Sequence, residues 1–197
     1  MIEVEKKFRL TPEIKEQIQK IAKFVAKKTQ HDIYFDQVNY PLLRKDWYLR
    51  QRNENFELKI KVPNAGQRLY TYQEIENFKD ICKTLRLSWP ENIKPLKFLQ
   101  SQNFTSFMDI TTHREKFQLE KITLDLDECT FGFYVFEAEI MVAHKSDLSL
   151  AENTIMLTLQ KYNIPVEPMR HGKGWAYLEK FNPPLYQQVL GWHGVIK

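Results

Sequence analysis

Glycine is scarce in this chain, with six residues among 197. None of the six falls into a phosphate loop or a dinucleotide fingerprint, so any phosphate held here must be gripped by side chains. Cysteine is scarcer still: Cys82 and Cys129 read as two buried, reduced thiols of a cytosolic protein. No apolar run approaches the ~18 residues of a membrane helix. The first residues carry acids at positions 3 and 5 where a secretory leader has its apolar region. The expectation is a cytoplasmic protein without a membrane partner. Neither sign of charge dominates, since the net charge of +4 admits an anionic ligand without marking a nucleic-acid binder. What is present is an ordinary globular balance, 43% apolar and 27% charged, enough for one domain spanning residues 1–197.

Thr11-Pro12-Glu13 reads as a helix start, followed by Ile14, Ile18, Ile21, Ala22 and Val25 at helical spacing. Strand character appears at 31–37, 46–53, 56–62 and 67–75, with Asn53-Glu54-Asn55 as a turn. Helices are expected at 75–87 and 94–103, a long hairpin at 104–119 and 121–129, and a strand at 131–143. The aromatic cluster at 131–136 is expected in the core. Residues 147–162, 174–181 and 183–192 read as helices. The class is α+β, mostly antiparallel sheet with helices around it.

One pattern recurs from strand to strand. Glu3, Glu5 and Lys7 alternate with Val4 and Phe8. Tyr48, Arg50 and Arg52 share a face, as do Glu57, Lys59 and Lys61 opposite Phe56, Leu58 and Ile60. Tyr72 pairs with Glu74, and Arg114 with Thr112 and Lys116. Asp125 and Asp127 oppose Leu124 and Leu126, and Glu137 and Glu139 oppose Phe136 and Ala138. Two architectures fit. An open antiparallel sheet would turn its charged face to water. A closed barrel would turn the charges into a lumen and the apolar stripes outward under helices. The closed form explains why carboxylates stand in close pairs, which repel one another unless a cation is near. With bases on other strands, such a lumen suits a divalent metal against a polyanion.

These residues resemble the CYTH superfamily of triphosphate tunnel metalloenzymes. Glu3-Val-Glu5-Lys6-Lys7 matches its E-x-E-x-K opening, followed in order by "LRQR", "ELKIK", a glutamate after an aromatic strand, the arginine of "THREK", "DLD" and "EAE". The ordered set spans nearly the whole chain. Within the superfamily it is most similar to animal-type thiamine triphosphatase, through "IEVEKKF", "YLRQR", "LDLDECTFGF" and "KGWAYLEKFNPPLYQQVL".

The resemblance implies an eight-stranded antiparallel barrel, a tunnel with a charged lumen surrounded by helices, binding triphosphate with Mg²⁺ or Mn²⁺. It implies metal ligation by Glu5, Asp125, Glu137 and Glu139, with Glu3 beside them, and phosphate binding by Lys7, Arg50, Arg52, Lys59, Arg114 and Lys173. Lys7, Arg52, Arg114 and Glu74 would be catalytic. Glu57, Glu74 and Asp127 would support them or hold a second metal. Tyr48 stands where the animal pattern has tryptophan, and would meet an organic group at the tunnel mouth. Lys173, between Gly172 and Gly174, equally fits a solvated loop lysine. Lys6, Lys61 and Lys116 are read as solvent-facing. His113 and His171 adjoin site residues and are not read as bases. The implied activity is metal-dependent hydrolysis of a small triphosphorylated molecule by a monomer. Thiamine triphosphate is the leading substrate and inorganic triphosphate the alternative. Adenylate cyclase, RNA 5′-triphosphatase and non-catalytic polyphosphate or nucleotide binding rank lower.

Overall fold

The computed structural model describes residues 1–62, 70–169 and 171–194. Eight strands carry the fold: β1 (Ile2–Arg9), β2 (Lys23–Asp36), β3 (Trp47–Arg52), β4 (Asn55–Lys61), β5 (Tyr70–Ile75), β6 (Thr105–Leu119), β7 (Ile122–Cys129) and β8 (Phe133–Val142). They close in the order β1-β5-β4-β3-β2-β6-β7-β8, so the open sheet is excluded. Every pairing is antiparallel, and the register keeps the alternating charges on one side: Glu3 faces Tyr72, Glu5 faces Glu139, Lys7 faces Glu137 and Arg114 faces Asp127. Closure gives the barrel an inner and an outer surface.

Among the described residues, six helices cover the outer surface. α1 (Pro12–Ile21) starts where Thr11 Oγ1 accepts from the Ile14 amide at 3.3 Å. With α4 (Leu148–Lys161) it buries Ile14, Ile18, Ile155 and Leu159 against Val4, Phe8, Leu124, Leu126 and Ala138. α2 (Phe78–Thr84) and α3 (Pro95–Ser101) bury Ile81 and Leu99 on Leu49, Phe56 and Leu58. α5 (Lys173–Phe181) and α6 (Pro183–Trp192) bury Leu178, Leu185 and Val189 on Met108 and Ile110. Each such burial stabilises by roughly 1.5–3 kcal/mol. The apolar stripe of each strand is therefore spent on helices, which commits the opposite stripe to the lumen.

Three expectations change. The helical stripe through Ala22 and Val25 stops at Ile21, because residues 23–30 pair along the fifteen-residue β6. Long-range pairing outweighs local spacing there. Ile75 ends β5 and does not open a helix; α2 starts after Asn77, whose Oδ1 accepts from the Lys79 amide at 3.0 Å and the Asp80 amide at 3.3 Å. The aromatic cluster at 131–136 divides: Phe136 is buried in the core, Phe131 and Phe133 stack half-buried, and Tyr134 is exposed. Residues 67–69 of the expected strand lie outside the described residues. Cys82 and Cys129 are buried free thiols, pushed by burial up to about 11. Among the described residues, no helix is long and apolar enough to cross a membrane.

Candidate active site

The lumen is a cavity of about 1120 Å³ lined by side chains from all eight strands and the start of α5. Its strand order sorts the charges. β7, β8 and β1 are neighbours and contribute Asp125, Asp127, Glu137, Glu139, Glu3 and Glu5 as one acidic arc. β4 and β3 bring Lys59, Lys61, Arg50 and Arg52 to the other side. The separation is not complete. Lys7 lies within the acidic arc, Arg114 and Lys116 flank it on β6, and Glu57 and Glu74 sit among the bases.

Cations bridge the acids. Lys7 Nζ donates to Glu5 Oε1 at 2.5 Å and Glu137 Oε1 at 2.9 Å. Arg114 grips Asp127 with Nε at 2.5 Å and Nη2 at 2.6 Å, reaches Glu137 Oε2 at 2.9 Å, and donates to Asp125. Lys59 Nζ lies 2.5 Å from Glu3 Oε2, and Lys116 Nζ lies 3.0 Å from Glu139 Oε1 and 3.3 Å from Asp125 Oδ1. Lys173 opens α5 and sends Nζ to Asp127 Oδ2 at 2.7 Å, so it is a lumen residue and not a solvated loop lysine. Gly172 leaves room for Lys7 beside it, because a Cβ there would meet Lys7 Cε at 3.0 Å.

The acids nevertheless exceed what these cations satisfy. Glu3 Oε2 and Asp125 Oδ1 are buried and accept no hydrogen bond of sound geometry, although an ammonium stands near each. Burial, then the neighbouring Asp125, pushes Glu139 up to about 8. Burial also raises Glu5, and raises Asp125 despite Arg114. Against the cost of burial, Lys7, Lys173 and Arg114 hold Glu137 well below the usual carboxylate range. A hard divalent cation fits this oxygen-rich arc. Among the described residues, no three His, Cys, Asp or Glu side chains are arranged to hold a metal ion, since lysine and arginine stand between them.

On the other side, Arg50 Nε donates to Glu57 Oε2 at 2.8 Å, and Glu74 Oε1 lies 3.7 Å from Arg50 Nη2. Arg52 forks onto Asp32 at 2.7 and 2.9 Å. Tyr48 sits between Tyr34 and Tyr72, each with its ring centroid 6.4 Å away, and its hydroxyl accepts from Trp175 Nε1 at 3.1 Å.

Sequence reasoning missed several lumen residues. Lys61 and Lys116, expected in solvent, line the cavity. Both kept step with residues assigned to the lumen, and that parity was the signal. Lys6 turns from the lumen acids to Glu152 of α4 at 2.7 Å, although it too lies at the cavity's edge. Asp32 and Asp46 share the parity of Tyr34 and of Tyr48, so alternation also marked them. His171 lines the cavity and stacks on Trp175 at 4.6 Å, because it lies in the loop before α5 and not on a strand. His113 is exposed on β6.

A model of the CYTH domain family matches residues 1–168. The chain belongs to that family. This CYTH domain is 27% identical to the thiamine-triphosphatase of Homo sapiens over 96% of the chain and 90% of that protein. It shows the same identity and coverage against the thiamine-triphosphatase of Macaca fascicularis. A Pyrococcus horikoshii OT3 protein shares the fold with a TM-score of 0.68 at 24% identity, covering 90% of this chain and 99% of that one. A Hippeastrum adenylyl cyclase homologue, described as having a dominant triphosphatase activity, superposes with a TM-score of 0.61 at 17% identity over 90% of this chain and 95% of its own. The family match ends before α5, so His171 from the preceding loop and Lys173 and Trp175 from the helix come to the CYTH lumen from sequence beyond it.

The Asp32–Arg52 pair gives one stability prediction. Against the cost of burial, the Arg52 fork holds Asp32 down at about 2. Asp32→Asn is expected to destabilise by about 3 kcal/mol at neutral pH, because Arg52 then keeps a charge with half its partner gone. The stabilisation is complete above pH ~4 and is lost as the pH falls through Asp32's folded value. Urea unfolding of both proteins from pH 7 downward measures it. A gap that does not close in acid would contradict the pair's charge as its source.

Proposed function

We propose that this CYTH domain hydrolyses the terminal phosphoryl group of a triphosphorylated small molecule, with thiamine triphosphate as the foremost substrate. The closed barrel carries this reading, because its lumen sets an acidic arc against a basic one within a single cavity. The relatives named thiamine-triphosphatase and the Hippeastrum triphosphatase activity support it. The whole chain acts as one unit, since α5 supplies Lys173.

Arg50, Arg52, Lys59, Arg114, Lys7 and Lys173 bind and orient the polyphosphate, the arginines through forks that match two phosphate oxygens at once. Glu3, Glu5, Asp125, Glu137 and Glu139 would hold Mg²⁺ or Mn²⁺ once the lysines and Arg114 that now bridge them turn to the phosphates. When bound, that ion neutralises phosphate charge and stabilises what develops on the transferring group. Lys59 and Lys116 lie against these carboxylates and keep the acidic arc compact. Arg114 spans Asp125, Asp127 and Glu137, so it ties the acids to the phosphates. Glu74 and Glu57 orient Arg50. Catalysis is then largely positioning and electrostatic stabilisation of an in-line displacement by water.

A specific observation favours inorganic triphosphate as the second reading. The aromatic end of the lumen already holds an ammonium, with Lys61 Nζ 2.5 Å from Asp46 Oδ2 and 5.7 Å from the Tyr72 ring centroid. Such an end is complete without an organic group. Tyr48→Ala separates the two. If thiamine triphosphate is the substrate, its KM should rise about two- to fivefold through a lost ring–cation contact. The KM for inorganic triphosphate should move less. Equal shifts on both substrates would make Tyr48 structural and shift the reading to inorganic triphosphate.

A further inference from the structure

The barrel wall is not equally tall all round. β3 meets β2 over Asp32–Phe35, and the Asn53 amide adds one bond to the His31 carbonyl at 2.8 Å. There β3 turns back into β4, while β2 and β6 stay paired as far as Lys23 and Gln118. Among the described residues, no strand pairs with the other edge of β2 from Lys23 to Gln30. A second cavity of about 400 Å³ lies in this notch, and Lys28, Gln30 and Arg52 line both it and the lumen. The lumen thus opens here as well, about 13 Å along β3 from Tyr48. Three groups at this opening lack full partners. Lys28 faces Arg114 across the β2–β6 pairing and makes no ion pair among the described residues. Two cations set opposite each other favour an anion beside them. Arg52 engages Asp32 with Nε and Nη2, and its Nη1 has Glu57 at 3.7 Å, outside hydrogen-bond range. Glu57 itself already accepts from Arg50 at 2.8 Å. Gln30 is 8% exposed, and its buried Oε1 accepts no hydrogen bond. A buried acceptor beside two cations suits a ligand that is an anion and also a donor.

We propose that this notch is an exit site for the orthophosphate that hydrolysis releases. The inference deepens the triphosphatase reading and rests on it. Tyr48, Arg50 and Arg52 follow one another along β3, so a triphosphate that enters past Tyr48 carries its terminal phosphoryl group toward Arg52. Water adds to that phosphorus, the bond to the bridging oxygen breaks, and the oxygen stays with the diphosphate. One proton of the water remains on the orthophosphate and the other passes to solvent. The orthophosphate then has the diphosphate between itself and Tyr48, and the notch beside Arg52 open to it. Lys28 and Arg52 Nη1 take its anionic oxygens. Gln30 Oε1 takes its hydroxyl, since orthophosphate at neutral pH keeps at least one P–O–H and can donate. Sulfate has the same shape and no proton at that pH, so it can use the two cations and not the glutamine.

The test is inhibition of triphosphate hydrolysis by orthophosphate and by sulfate in wild type, Lys28→Glu and Gln30→Leu, with thermal unfolding to check that both variants fold. A product that leaves by its own opening can bind while substrate fills the lumen, so orthophosphate should inhibit wild type noncompetitively. A product trapped behind the diphosphate would leave last and compete purely. Orthophosphate should bind about two- to tenfold more tightly than sulfate, through the hydrogen bond to Gln30. Lys28→Glu should weaken inhibition by both anions about tenfold or more. Gln30→Leu should weaken orthophosphate alone, down to the level of sulfate. A merely structural glutamine would not separate the two anions. If wild type hydrolyses triphosphates but orthophosphate competes purely, or neither variant moves its inhibition constant, the exit site is overturned while the hydrolase reading stands. If wild type hydrolyses no triphosphate, both fall.

Discussion

Arg114→Ala is expected to lower kcat/KM for every triphosphate substrate by about a hundredfold or more and to destabilise the fold by about 3–5 kcal/mol. Both effects come from one position. The guanidinium is buried among Asp125, Asp127 and Glu137, which raise its own pKa well above the ordinary value despite the cost of burial. Without it, the three buried carboxylates keep Lys7, Lys116 and Lys173 as neighbouring cations. Loss of a charged fork to phosphate costs about 1.5–3 kcal/mol by itself, and acids that drift apart cost more. Arg114→Lys separates the two roles. Lysine restores charge and most of the stability, measured by urea unfolding, but it has no planar fork. Its kcat/KM should stay about tenfold or more below wild type. A lysine variant as active as wild type would reduce Arg114 to a structural counter-ion.

Glu139→Gln is expected to move activity and stability in opposite directions. Glu139 faces Glu5 across the β1–β8 pairing, and its Oε1 has Lys116 at 3.0 Å. Burial and Asp125 make its charged form unfavourable in the folded state. Without added metal the glutamine variant loses that repulsion. A gain of about 1 kcal/mol corresponds to about 2–4 °C in Tm at this chain length. Activity should fall about a hundredfold or more, since the lost oxygen belongs to the proposed metal set. Added Mg²⁺ should then raise the Tm of wild type more than that of the variant, because binding stabilises only a state that binds. A variant less stable than wild type in chelator would show that Glu139 is held for the fold.

Alternation made most of the barrel legible. A strand whose outer stripe must pack under helices declares its inner stripe, so Val4, Leu58, Leu124 and Ala138 placed Glu3, Glu5, Lys59, Asp125, Glu137 and Glu139 before any coordinates. Alternation alone did not decide closure; the paired carboxylates and the family resemblance favoured the barrel that the pairing then showed. An open sheet with a wet face has the same period, and only the β1–β5 and β1–β8 pairings decide between them. The first half of β2 escaped because Lys23, Val25 and Lys27 are exposed and carry no burial pattern, while β6 supplies their pairing from more than eighty residues away. Lys116 and Lys61 were misplaced for a related reason. A lysine on a strand is usually solvated, and only a closed lumen makes its parity informative. His171 and Trp175 had no period to betray them, because a loop and a helix start bring them to the tunnel end.

The most direct test is phosphate release from the full chain, measured with inorganic triphosphate, thiamine triphosphate, ATP and pyrophosphate, in Mg²⁺ or Mn²⁺ and again in excess chelator. The two-sided lumen predicts release from at least one triphosphate, dependence on the added metal, and little or no release from pyrophosphate, which lacks the third phosphoryl group. Turnover that is equal in chelator, or no release from any triphosphate with metal present, would contradict it.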